Sequence, residues 1–105
     1  MNTQFKKGVL ELCVLSSLKK RDAYGYLLAE EISSRIQIAE GTLYPLLRKL
    51  KEDGLCDTYL SGDSGGPPRK YYTLTEKGRQ AESALRAEWS AFAKAVREIV
   101  EGGNE

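Results

Sequence analysis

Residues 39–54 read AEGTLYPLLRKLKEDG. Leu43, Leu46, Leu47 and Leu50 recur there at i, i+3, i+4 and i+7, which places four leucines on one stripe of a helix. The opposite face carries Gly41, Pro45 and Arg48 near its centre, with Tyr44 on one flank and Lys49 on the other. An apolar back and a front of small, hydroxylic and basic groups suit a helix that rests on a core and presents itself to a polyanion. Gly54 supplies the stop. The same pattern fits an ordinary amphipathic surface helix, so the flanking sequence has to decide between the two. Two starts are open: Thr42 as N-cap with Pro45 in the first turn, or a start near Ala39 with Pro45 one turn in.

A chain of 105 residues matches one domain with a single modest core. The net charge is +1 and decides nothing about nucleic acid. Residues 1–75 hold eleven Lys/Arg against nine Asp/Glu, and residues 76–105 five against six, so a basic face has to be argued locally. Histidine is absent, which removes the commonest general base and transition-metal ligand. With no nucleophile elbow, phosphate loop or paired-carboxylate motif, nothing asks for an enzyme or a cofactor. Cys13 and Cys56 sit within apolar runs, without metal spacing. They read as small buried hydrophobes, and the apolar settings argue against a redox sensor. The N-terminal MNTQFKKG and a following apolar run broken by Glu11 and serines do not read as a signal peptide. No stretch reaches the length of a membrane span, and a cytoplasmic protein is expected.

The first helix is expected over Phe5–Lys20. Val9, Leu10, Leu12, Cys13, Val14, Leu15 and Leu18 cover most of its circumference, so it must be buried on more than one side. Phe5, Gly8 and Leu12 share a stripe that suits either the domain's own core or a second copy. Lys19-Lys20-Arg21-Asp22 breaks the pattern, and a second helix is expected from about Ala23 to Ser33. It contains Gly25, which is tolerated where another backbone comes close. Ile36-Gln37-Ile38 alternates as a very short strand would. After residues 39–54, Leu55–Leu60 and Arg69–Leu74 read as two strands around the turn segment SGDSGGPP at 61–68. Thr75 caps a last helix over 76–101. Leu85, Trp89, Phe92, Val96 and Ile99 follow one another at intervals of 4, 3, 4 and 3, a heptad seam. A helix this long, protruding past its own core, is most simply explained by a partner chain.

This element order is that of a winged helix-turn-helix: mainly α with a small β-hairpin, and with a long C-terminal dimerisation helix added. Residues 1–75 are expected to form the DNA-binding domain and residues 76–105 the dimerisation helix. Some winged helices bind only proteins, and a protein-interaction module is the rival class.

Four stretches carry a resemblance: Tyr24-Gly25-Tyr26, Glu40-Gly41-Thr42-Leu43-Tyr44-Pro45, Lys51-Glu52-Asp53-Gly54-Leu55 and Arg69-Lys70-Tyr71-Tyr72-Thr73-Leu74-Thr75. Together they resemble the PadR family of bacterial transcriptional regulators over nearly the whole chain. The single C-terminal helix with its Glu88-Trp89-Ser90 is similar to the short subgroup, which includes multidrug-responsive repressors. The resemblance implies a winged helix that forms a homodimer through its first and last helices. It also implies a repressor of genes for detoxification, efflux or phenolic-acid metabolism, and a third helix that begins upstream of Thr42. The segment between the second and third helices is short for the family.

On this reading the partner is double-stranded operator DNA. Thr42, Tyr44 and Arg48 face it, with Arg48 either bidentate to a guanine or on a phosphate. Lys49 lies on the flank, Arg69 and Lys70 anchor the wing, and Lys6 and Tyr24 add backbone contacts. Leu85, Trp89, Phe92, Val96 and Ile99 form the dimer interface. From the sequence Trp89 is an interface anchor. The resemblance implies instead that a small aromatic effector stacks there, with Phe5, Leu12 and Phe92 as walls.

Overall fold

A computed structural model describes residues 3–39, 41–62 and 65–102, with side chains from Gly8 onward. The elements run α1 (Thr3–Lys20), β1 (Ala23–Tyr24), α2 (Gly25–Ser33), α3 (Leu43–Glu52), β2 (Cys56–Ser61), β3 (Arg69–Leu74) and α4 (Glu76–Glu101). The leucine stripe is the floor of α3: Leu43, Leu46, Leu47 and Leu50 are all buried. They pack with Leu10, Val14, Leu15 and Leu18 of α1, Leu28 and Ile32 of α2, and Cys56 and Tyr72 of the sheet. Full burial of a side chain of this size contributes roughly 1.5–3 kcal/mol.

Three local readings change. Ala23 and Tyr24 are not helical. They pair antiparallel with Tyr72 and Tyr71, so the sheet has three strands in the order β1-β3-β2 rather than two. Tyr24 is extended (φ −89°, ψ 162°) and Gly25 becomes the first residue of α2. What comes close to Gly25 is the Tyr44 ring: a Cβ at Gly25 would stand 2.8 Å from Tyr44 Cε1. Residues 36–38 form no strand: the closing turn of α2 takes in Ile36, whose amide, like that of Arg35, donates to the Ile32 carbonyl. Finally, α3 begins at Leu43, later than the family resemblance implied. Gly41 has φ 84°, left-handed backbone that ends any helical approach from Ala39. Thr42 occupies the N-cap position, although its side chain makes no capping bond. Pro45 is therefore in the first turn, where its missing N–H leaves nothing unsatisfied.

The last helix starts as the sequence indicates. Thr75 is extended, and its hydroxyl accepts from the Gly78 amide at 3.0 Å. Gly78 is buried where α4 descends onto the turn after α3, and a Cβ there would lie 2.0 Å from the Leu55 carbonyl oxygen. Ala81 and Leu85 pack against the core. Beyond them α4 runs on into solvent, its 26 residues spanning about 39 Å, and Ile99 and Val100 are 80% and 76% exposed.

Among the described residues one charged side chain is fully buried. Glu82 of α4 accepts from the Ser16 hydroxyl of α1 at 2.9 Å and from the Arg86 guanidinium, and Lys19 of α1 stands 3.5 Å from its other oxygen. Burial pushes its pKa up, but the hydrogen bonds from Ser16 and Arg86 and the charges of Arg86 and Lys19 outweigh that, and the net shift is downward. A carboxyl whose folded pKa lies below its unfolded value contributes stability above the unfolded value and loses it as pH falls through the folded one. Urea unfolding followed across the acidic range should therefore show a falling midpoint, and Glu82→Gln should flatten that fall while lowering stability at neutral pH.

Candidate nucleic-acid interface and helix cleft

With the leucines held down, α3 turns Tyr44, Arg48 and Lys49 outward, and all three are exposed. Thr42 is exposed at the helix start. Arg48 makes no ion pair among the described residues. Lys49 is engaged: its ammonium sits 3.0 Å from Asp53 Oδ2, and the Asp53 hydrogen bond raises its pKa. Of the two cations Arg48 is thus the one available to a ligand.

The wing base is built by strand register. Tyr24, Tyr71 and Tyr59 lie opposite one another across β1, β3 and β2, which brings cross-strand side chains into contact. The Tyr59 and Tyr71 rings stack at 5.6 Å, and Tyr71 meets Tyr24 edge to face at 5.5 Å. The Tyr59 hydroxyl donates to Asp22 at 2.7 Å, tying the outer strand back to the end of α1. At the other end of the row the Arg69 guanidinium lies over the Tyr24 ring, 4.7 Å from its centroid. Arg69 is therefore held in place by the aromatic row. Lys70, on the alternate face, reaches over Tyr72 at 5.9 Å. Tyr24, Tyr44, Arg69 and Lys70 line a single recess of about 300 Å³ with Gly25, Tyr26 and Tyr72. Four of the residues assigned to DNA from the sequence thus converge. Lys6 lies outside the residues whose side chains are described. Tyr26, Tyr71 and Tyr72 lie in the stretches that carry the resemblance but, like Tyr59, had no role assigned from the sequence; the strand register is what places Tyr59, Tyr71 and Tyr72 here.

A second recess lies between α1 and α4. Gly8, Val9 and Leu12 of α1 and Leu85, Glu88, Trp89 and Phe92 of α4 enclose a mostly apolar cleft of about 330 Å³. The Trp89 and Phe92 ring centroids are 6.1 Å apart, tilted by 40°. Leu12, Trp89 and Phe92, three of the residues that the resemblance assigned to an effector at the seam, line one cleft within the protomer, and Phe5 lies outside the described side chains. Glu88, quoted from the sequence only as part of the resemblance, adds an acidic group to the lining.

The thiols are quiet. Burial raises the pKa of Cys13 and, with the Asp57 charge beside it, pushes Cys56 up to about 11, so both are protonated and poor nucleophiles at neutral pH. Among the described residues no cluster could hold a metal ion, and no helix is long and apolar enough to cross a membrane.

Comparison with known proteins agrees with this geometry. Residues 14–84 match the model of the transcriptional regulator PadR-like family. A crystal structure of a protein from Streptococcus mutans UA159 is similar at 38% identity and a TM-score of 0.86, covering 91% of this chain and 90% of that one. A PadR-like transcriptional regulator from Bacillus cereus strain ATCC 14579 is similar at 32% identity and a TM-score of 0.84, covering 93% and 97%. A transcriptional regulator from Mycobacterium tuberculosis is 29% identical over 100 residues, 94% of this chain and 90% of its own length. A winged helix that exposes a hydroxylic and basic helix beside a cationic wing, with these relatives, belongs to the PadR-like family of transcriptional regulators: it is a DNA-binding regulator and not an enzyme.

Proposed function

We propose that the protein is a homodimeric repressor that reads operator DNA with α3 and releases it when a small aromatic effector enters the cleft between α1 and α4. The observation that carries the DNA-contact assignment is the shared surface of Tyr44, Arg69, Lys70 and Tyr24, with Arg48 exposed one helical turn beyond Tyr44. Thr42 and Tyr44 offer hydroxyls to phosphates, and Arg69 and Lys70 hold the wing to the backbone. Arg48 is the side chain suited to a base edge or to a phosphate clamp, and Lys49, paired with Asp53, supplies diffuse charge. Residues 1–75 act as the DNA-binding unit and residues 76–105 as the dimerisation helix. Support for the dimer comes from the seam of Leu85, Trp89, Phe92, Val96 and Ile99, which continues past the core with Val96 and Ile99 exposed. Pairing two such helices buries the seam in the manner of a short coiled coil.

Arg48→Ala should weaken binding to DNA selected from a random pool by roughly 1–3 kcal/mol, about five- to 150-fold, in a mobility-shift titration at fixed salt, with thermal stability unchanged. Binding equal to that of the unsubstituted protein would overturn the role given to Arg48.

The effector reading rests on the cleft itself, apolar and walled by an indole and a phenyl ring, a lining suited to flat aromatic compounds. Trp89 is the sole tryptophan, so its fluorescence reports on this cleft directly. A planar cationic dye is expected to quench it in a saturable way and to lower operator affinity, and Trp89→Ala should abolish the second effect. A dye that changes neither signal would remove the effector from the mechanism.

A further inference from the structure

The end of α3 and the start of α4 are joined by more than the chain between them. Three consecutive carbonyls that follow α3 each receive a donor from the beginning of α4. Lys77 Nζ donates to the Asp53 carbonyl at 2.9 Å, Thr75 Oγ1 to the Gly54 carbonyl at 2.7 Å, and the Thr75 amide to the Leu55 carbonyl at 3.2 Å. The Thr75 hydroxyl also accepts from the Gly78 amide, so one oxygen closes the exit of α3 and caps the entry of α4. The contact is close because Gly78 has no Cβ to hold the two apart. Lys77 places its ammonium where helix-terminal carbonyls concentrate negative potential. One turn further on, Glu82 fixes α4 to α1 through Ser16 and Lys19. The exposed part of the seam begins just past these two attachments.

We propose that Thr75 and Lys77 are positioning residues that weld the DNA-reading helix to α4, so that in the dimer the separation of the two reading helices is set by how the two α4 helices cross. This rests on the dimer proposed above. B-DNA presents successive major grooves about 34–36 Å apart. A protomer in which α3 and α4 move as one rod converts a small change of crossing angle at the seam into a displacement at the groove, without any hinge inside the domain. An effector between α1 and α4 then acts on the spacing of the two reading helices and leaves the chemistry of each α3 face unchanged.

The test is a distance between protomers. A nitroxide on Lys51→Cys, in a Cys13→Ala, Cys56→Ala background, marks each α3, and pulsed dipolar EPR reads the distribution of label separations. A single narrow distance is expected without further change. With Thr75→Val and Lys77→Met added, the distribution should become roughly twice as wide, while light scattering still gives a dimer and circular dichroism the same helix content. Lys77→Arg alone, which keeps the donor, should leave it narrow. Should the double substitution fold poorly, Lys77→Met alone, at an exposed side chain, must still broaden the distribution. Equal widths in a folded dimer, or a broad distribution before any joint substitution, would overturn the weld and leave the dimer standing. A monomer with no dipolar signal would overturn the dimer and the weld with it.

Discussion

The rotation of α3 about its own axis is the constraint on which the functional surface depends. A helix commits its side chains every 3.6 residues per turn, so burying one stripe determines what the other faces do. Leu43, Leu46, Leu47 and Leu50 lie at the centre of a core drawn from α1, α2 and the sheet. Turning α3 far enough to hide Tyr44 or Arg48 would bring leucines into water and leave a cavity among the residues they now touch. The exposed face of α3, which we assign to DNA, is thus fixed by apolar burial, and Arg48 on it makes no ion pair among the described residues.

The polar interactions that do hold structure lie elsewhere and link elements distant in sequence. Glu82 joins α4 to α1, Tyr59 joins the outer strand to Asp22, and Thr75 joins the exit of α3 to the entry of α4. A buried carboxylate is a poor source of net stability, because desolvation opposes the attraction of its partners. Its value lies in specificity: with Ser16, Arg86 and Lys19 around it, Glu82 accepts one placement of α4 against α1, where a purely apolar seam would allow sliding.

The sequence made legible whatever is encoded locally. The bounds of β3 and α4 follow from β-forming residues after a glycine- and proline-rich turn, the heptad seam and the Thr75 cap. The leucine stripe and the exposed face opposite it follow from a single periodicity. What was misread depends on partners far along the chain. Ala23 and Tyr24 form a strand only because Tyr71 and Tyr72 offer an open edge, so they read locally as the start of a helix. Ile36–Ile38 alternates but finds no edge. The start of α3 turns on the backbone angle of Gly41, which residue identity alone does not give. Glu82 occupies a polar position of an amphipathic helix, and only the approach of Ser16 and Lys19 buries it. The same holds for the recess at the wing: Arg69 and Tyr24 were singled out separately, and the register made them neighbours.

The burial of Cys56 has a consequence for what the regulator can sense. Its thiol titrates near 11, that of Cys13 is also raised, and the chain contains no histidine. Histidine is the side chain whose ordinary titration falls between mildly acidic and mildly alkaline conditions, and both thiols are held protonated there. On the proposed reading, information reaches this protein through what occupies its cleft, and not through the proton concentration around it.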